Sequence, residues 1–269
     1  MLEQLNGATR VHFIVGDPIA QVKSPAGVTQ AYAERGRNAI VVPAHVAPER
    51  LSAWHTGLSY AQNVDGIIVT VPHKFAAFGL CASTSERATF LRVVNTMRRN
   101  TDGSWHGDMF DGLGFVEAMR DNGCDPRGKR ALLIGAGGEG SAIAHALLLA
   151  GVSSLALADT SMLRRTTLID RLNWLNAAPV THGSTDPTGY DIVLNATPMG
   201  MKESDPYPAD VTKLNAAMFV GCVITAPAVS PLVAAARARG CATMTGADMF
   251  GRVRDLMVKF LLSGGARSG

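Results

Sequence analysis

Apolar residues along this chain fall in short runs bounded by glycine, proline or polar residues, and between the runs they recur at helical spacing. The runs read as strands: Val11–Gly16 (VHFIVG), Ala39–Pro43, Asp65–Val71 (DGIIVTV), Arg92–Arg98, Ala131–Ile134, Leu155–Ala158, Ile192–Asn195 and Phe219–Ile224. The periodic stretches read as helices. One opens at Ser24-Pro25, with Ser24 as N-cap and Pro25 in the first turn. Others cover Pro48–Leu58, Phe75–Leu80, Phe115–Asn122, Ser141–Ala150, Met162–Leu175, Pro231–Arg239 and Met249–Leu262. Trp105–Gly114 reads as a bridge between two halves. Strands alternating with helices predict an α/β fold of crossover units on mostly parallel sheets.

Lys129–Gly151 is the most informative stretch. Its apolar run leads into Gly135-Ala136-Gly137-Gly138-Glu139-Gly140 and then a helix, which is G-x-G-x-x-G between a strand and a helix. Gly135 permits the tight turn, Gly137 lets the backbone approach a pyrophosphate, and Gly140 lets helix pack closely on strand. The helix N-terminus offers its amides to the phosphates. In that context the motif predicts a Rossmann dinucleotide-binding domain. The expected division is an α/β substrate domain over 1–106 and a Rossmann domain over 107–245. The last helix, within 246–269, is expected to pack back on the first domain, with the ligand in the cleft between the two.

At 269 residues, 47% hydrophobic and 17% charged, the chain has room for two cores and is not of disordered composition. A formal charge of +3, scattered along the chain, argues against a nucleic-acid surface; Arg98-Arg99 and Arg164-Arg165 read as solvated pairs. With no apolar span of membrane length and no signal-like N-terminus, a cytoplasmic location away from membranes is expected. Cys81, Cys124, Cys222 and Cys241 lack disulfide or zinc spacing, and the histidines are scattered, so no metal site is expected.

Seven ordered matches carry a resemblance. Gly16-Asp17-Pro18-Ile19 and Lys23-Ser24-Pro25 fit G-x-P-I and S-x-S-P, and Val69-Thr70-Val71-Pro72-His73-Lys74 fits N-V-T-x-P-x-K. Val94-Asn95-Thr96 fits A-V-N-T, and Gly107-Asp108 with Asp111-Gly112 fits G-x-N-T-D-G. The glycine turn fits G-A-G-G, and Asn195 to Met201 fits N-A-T-P-x-G-M. On these residues the chain resembles the shikimate/quinate dehydrogenase family over nearly its whole length. The resemblance implies an NAD(P)-dependent oxidoreductase of shikimate or quinate metabolism, a monomer or homodimer, acting on a small cyclic hydroxy acid. It implies Lys74 and Asp111 as the catalytic pair. Substrate contacts are implied at Ser24, Thr70 and Asn95 and at the positions of Val22, Ile68, Phe110 and Thr225. Dinucleotide contacts are implied at Gly135, Ala136, Gly137, Gly138, Glu139 and Gly140, at Asp159 and Thr160, and at Asn195, Ala196, Thr197, Met199 and Gly246.

The residues make a chemical case of their own. Oxidising an alcohol needs a hydride acceptor and a group that takes the hydroxyl proton. A lysine flanked by Pro72 and the apolar Val69–Val71 run, once desolvated, has its pKa lowered toward neutrality. Taken singly, Lys74 reads as a surface lysine after a strand and Asp111 as a helix cap. Asn95 reads equally as a cleft residue or as one that closes a turn.

The departures from the pattern cluster where the family holds its polyhydroxy acid. The first serine of S-x-S-P is Val22, the asparagine before V-T is Ile68, and Asn-Thr before the aspartate is Met109-Phe110. An expected tyrosine is Thr225; in the last helix, a glutamine aligns with Val253 and a glycine with Asp248. A buried substrate hydroxyl without its partner costs about 1–3 kcal/mol, so shikimate itself is expected to bind poorly and a less hydroxylated relative better. Rival readings are a true shikimate or quinate dehydrogenase with compensating contacts from Gln21, His73 or Arg252, and a non-catalytic sensor. Family members that use NADP carry Asn-Arg-Thr after the second nucleotide strand; this chain has Ala158-Asp159-Thr160. An acid there accepts from a ribose 2′-hydroxyl and repels a 2′-phosphate, with Glu139 adding to the repulsion, so NAD is expected over NADP. Asp159 also reads as a helix N-cap.

Overall fold

The computed structural model describes residues 5–263; residues 1–4 and 264–269, the ends of the expected first domain and last helix, lie outside the described residues. The chain divides into two compact units. One takes the chain up to Phe110 and again from Arg254, the other Asp111–Val253.

The first unit runs β1 (Arg10–Gly16), α1 (Ser24–Glu34), β2 (Ala39–His45), α2 (Leu51–Leu58), β3 (Val64–Val69), α3 (Lys74–Phe78), β4 (Ser83–Thr84), α4 (Glu86–Leu91), β5 (Thr96–Arg99) and β6 (Trp105–Asp108). Its sheet has the order β2-β1-β3-β5-β6-β4; β5 is antiparallel to both neighbours and the other pairs are parallel. Successive side chains of β1 point to opposite faces. Phe13 meets Trp54 of α2 edge-on at 5.7 Å, and His12 meets Tyr32 of α1 at 4.9 Å, so helices cover both faces.

Two expectations are corrected here. Ser24 is the first residue of α1 rather than its N-cap; Lys23 holds that position without a side-chain cap bond. The expected strand Arg92–Arg98 begins only at Thr96. Ser85 caps α4 by accepting from the Ala88 amide at 3.2 Å, and Arg92 closes that helix at φ 56°. Val93 and Val94, fully buried in the connection, supply the apolar pattern that mimics a strand. Trp105–Gly114, read as a bridge between two halves, contains β6 and the start of the next helix, and the boundary between the two units falls within it, after Phe110.

The second unit runs α5 (Asp111–Asp121), β7 (Arg130–Ile134), α6 (Gly138–Leu149), β8 (Ser154–Ala158), α7 (Met162–Asn173), β9 (Val180–His182), β10 (Ile192–Asn195), β11 (Phe219–Cys222), α8 (Pro231–Ala238) and β12 (Ala242–Met244). The helix α9 (Gly246–Leu262) begins in this unit and ends among residues of the first. The sheet is wholly parallel, in the order β12-β11-β10-β7-β8-β9. That is the doubly wound order, whose direction reverses between β7 and β10. Leu132, Leu133, Leu155, Leu157, Val193 and Leu194 are fully buried, which is why these strands read as unbroken apolar runs. Among the described residues no helix is long and apolar enough to cross a membrane.

Candidate active site

The switch point of the second sheet is built around the glycine turn. Gly135 follows β7 at φ 112°, and a Cβ there would stand 2.7 Å from the carbonyl oxygen of Ala196, which follows β10. A Cβ on Gly140 would collide with the Gly135 carbonyl, so this glycine sets how closely α6 packs on the turn. Gly137, the N-cap of α6, has nothing within 4 Å of where a Cβ would stand. The turn is therefore tight at its base and open above the helix N-terminus, where Gly138 and Glu139 form the first turn. That shape fits a pyrophosphate.

Two side chains fix the turn's surroundings. Asn195, fully buried at the end of β10, accepts from the Thr197 amide (3.0 Å) and hydroxyl (2.6 Å) and donates to the Met199 carbonyl (3.2 Å). It holds Ala196–Met199 in place beside Gly135. Gly246, at the start of α9, lies so close to the Val223 and Ile224 carbonyls that a side chain would not fit. At the end of β8, Asp159 accepts from the amides of Ala136 (2.7 Å) and Ser161 (2.7 Å) and from the Arg164 guanidinium (3.0 Å). Burial alone would raise its carboxyl, but these donors hold it below the ordinary carboxylate range. The N-cap of α7 is Ser161, not Asp159, and Thr160 is exposed.

In the first unit the expected residues gather at the C-terminal ends of β1 and β3. Lys74 opens α3 and is 7% exposed, and its carbonyl accepts from the Val94 amide at 3.0 Å. The segment leading to it is pinned: Thr70 donates to Val15 (3.0 Å), Asp17 to Val71 (3.0 Å) and His73 to Thr70 (3.0 Å) through backbone groups. Ser24 is buried at the head of α1. Asn95 is buried as well. Its Oδ1 accepts from the Phe110 amide (3.1 Å) and the Thr96 hydroxyl (3.0 Å), and its carbonyl accepts from Val69 (2.7 Å). Asn95 thus ties β3 to the residues just before Asp111. Asp111 is itself buried as the first residue of α5.

The apolar replacements sit differently from one another. Ile68 is buried within β3, and Val22 and Thr225 are half-buried. The Phe110 ring packs 5.3 Å from Phe260 of α9 and under the Arg87 guanidinium at 5.0 Å. Val253 packs against Gly114 of α5. Asp108 and Arg87 were not among the expected site residues. Asp108, buried at the end of β6, accepts from the Met109 amide (2.7 Å), the Ser85 hydroxyl and Arg87 (2.5 Å). The Ser85-Glu86 cap signature would have revealed α4, but nothing local marks Arg87 as Asp108's partner.

Comparison with known proteins bears on these features together. Residues 14–97 match the family model for the shikimate dehydrogenase substrate binding domain. A curated shikimate dehydrogenase (NADP(+)) of Rubrobacter xylanophilus is 36% identical over 248 residues, covering 90% of this chain and 87% of that protein. A crystal structure of a shikimate dehydrogenase in complex with NADP+ superposes with a TM-score of 0.88 at 26% identity, covering 96% of this chain and 91% of that one. Quinate dehydrogenase from Corynebacterium glutamicum in complex with NAD gives 0.83 at 28% identity, covering 94% and 93%. The chain belongs to the shikimate dehydrogenase family, as an NAD(P)-dependent oxidoreductase acting on a CH–OH donor.

Proposed function

We propose that the protein oxidises or reduces a cyclic hydroxy acid related to shikimate or quinate, but less hydroxylated or differently substituted than shikimate, with Lys74 and Asp111 as the proton-transfer pair. The dinucleotide, when bound, exchanges the hydride with the carbinol carbon. Lys74 takes the hydroxyl proton in the oxidative direction and returns it in the reverse. Its burial supports that role, because a desolvated amine gives up its charge more readily than one in water. Asp111, buried at the head of α5, orients the lysine or shares the proton.

One observation carries the substrate reading. The three polar side chains that would compensate for the lost contacts are engaged elsewhere: Gln21 donates to the Pro18 carbonyl (3.0 Å), His73 bonds the Val46 carbonyl (2.7 Å) and Arg252 pairs with Asp121 (2.5 Å). Losing three or four polar contacts weakens binding by several kcal/mol, at least a few hundredfold. The test is an assay of reduced nicotinamide by absorbance over shikimate, quinate and less hydroxylated cyclic acids. A micromolar KM for shikimate would restore the rival reading, a genuine shikimate dehydrogenase, which the curated relative's name favours.

The preferred dinucleotide is NAD. Asp159, 7% exposed in its side chain and held ionised at the end of β8, would face the added charge of a 2′-phosphate. Arg164, which would serve such a phosphate, is paired with that carboxylate. The curated relative is named for NADP(+), so this preference sets the chain apart from it. The ratio of kcat/KM for NAD to that for NADP is expected to exceed one and to fall at least tenfold in Asp159→Asn. A wild-type ratio below one would overturn the preference.

A further inference from the structure

We infer that His73 is a positioning residue for Lys74: its imidazole, fastened to the neighbouring strand end, holds the head of α3 where the lysine is buried. The inference rests on the reading of Lys74 as the proton-transfer group.

His73 is 1% exposed, and its Nε2 stands 2.7 Å from the carbonyl oxygen of Val46, just beyond the end of β2. A carbonyl only accepts, so Nε2 carries the proton and the tautomer is fixed. Val46 is anchored in turn, its amide donating to Gly16 at 3.3 Å at the end of β1. The imidazole therefore spans from the β3–α3 turn to the ends of β1 and β2.

The other ties on this turn named above run between backbone atoms: Thr70 to Val15, Asp17 to Val71, His73 to Thr70, and Val94 to Lys74. Substitution leaves such bonds largely in place. The imidazole bond depends on side-chain identity, so it is a point at which the lysine's position can be altered without touching the lysine. His73 also lies one residue before Lys74, and its own carbonyl accepts from the Ala77 amide at 2.9 Å in the first turn of α3. A shift of the ring moves that turn and with it the lysine's Cα. Freed of the bond, the turn relaxes and the surroundings of the amine change, so its titration shifts.

The experiment follows the Cε resonance of Lys74 in carbon-13 lysine-labelled protein through a pH titration, in the wild type, His73→Phe and His73→Gln. Glutamine keeps an N–H able to reach Val46; phenylalanine keeps the ring and loses the donor. In His73→Phe the Lys74 midpoint is expected to shift by about one unit or more while the other lysines stay fixed. His73→Gln is expected to retain the wild-type midpoint. With a hydroxy acid found by the substrate assay, kcat should fall by roughly ten- to a hundredfold in His73→Phe, with the KM for NAD unchanged, and recover in His73→Gln. If phenylalanine is not tolerated, His73→Asn, too short to reach Val46, takes its place. A Lys74 that titrates alike in wild type and His73→Phe, or a His73→Gln variant that shifts as far as the phenylalanine one, overturns the inference. A Lys74→Ala variant that keeps the wild-type kcat instead overturns the assignment of Lys74 as the proton-transfer group.

Discussion

Lys74 stands 7% exposed at the head of α3, where Pro72 and the apolar Val69–Val71 run had placed a desolvated lysine. Replacing it with alanine is expected to lower kcat by about 10²–10⁴-fold, the usual contribution of a positioned acid–base group, while the dissociation constant for NAD stays within about twofold. Equal losses in both would mean that Lys74 serves binding or folding instead. The identities of such residues were legible because each sits in a local motif; their partners were not. Asp159 is bonded by Ala136, far back along the chain, and Asp108 by Arg87 on a helix that the pattern missed. Phe110 shows the same gap. Its apolar character was plain, but the side it faces is decided by Phe260, 150 residues on in a separate helix.

Among the elements, the β7–turn–α6 unit was the most legible, because each of its glycines answers a different steric demand. Gly137 and Gly140 can be told apart by experiment. An alanine at 140 would strike the Gly135 carbonyl, so Gly140→Ala is expected to lower stability by about 1–3 kcal/mol, as overpacking does, in urea unfolding. An alanine at 137 meets nothing within 4 Å and has an allowed backbone there, at φ −74°; Gly137→Ala should keep the stability and weaken NAD binding at least tenfold. Undiminished NAD affinity in Gly137→Ala would refute the placing of the pyrophosphate. Where elements were misread, the cause was burial without periodicity. Val93 and Val94 are core residues in a connection, and β9 and β12 are three-residue edge strands too short to show alternation.

For the whole molecule, the α/β class and the mostly parallel sheets followed from the alternation of runs, whereas the strand orders did not, since pairing partners lie far apart in sequence. Stability depends on groups whose burial is likewise set by tertiary packing. His12, on β1 against Tyr32, finds no hydrogen-bond partner among the described residues for either ring nitrogen. Burial pushes it down to about 4 from 6.5, opposed by Asp65 and aided by Arg10. A folded-state value below the unfolded one means that protonation favours unfolding. The neutral ring's contribution is complete above pH 6.5 and is lost as the pH falls toward 4, about 3 kcal/mol in all. His12→Phe should flatten the pH dependence of urea unfolding in that window; an unchanged slope would count against it. The central claim, a dehydrogenase with intact chemistry and a changed substrate grip, is tested most directly by steady-state kinetics with NAD on shikimate beside less hydroxylated cyclic acids. A kcat/KM for shikimate at least a few hundredfold below that of the preferred acid is expected. Shikimate as the best substrate, at a micromolar KM, would contradict it.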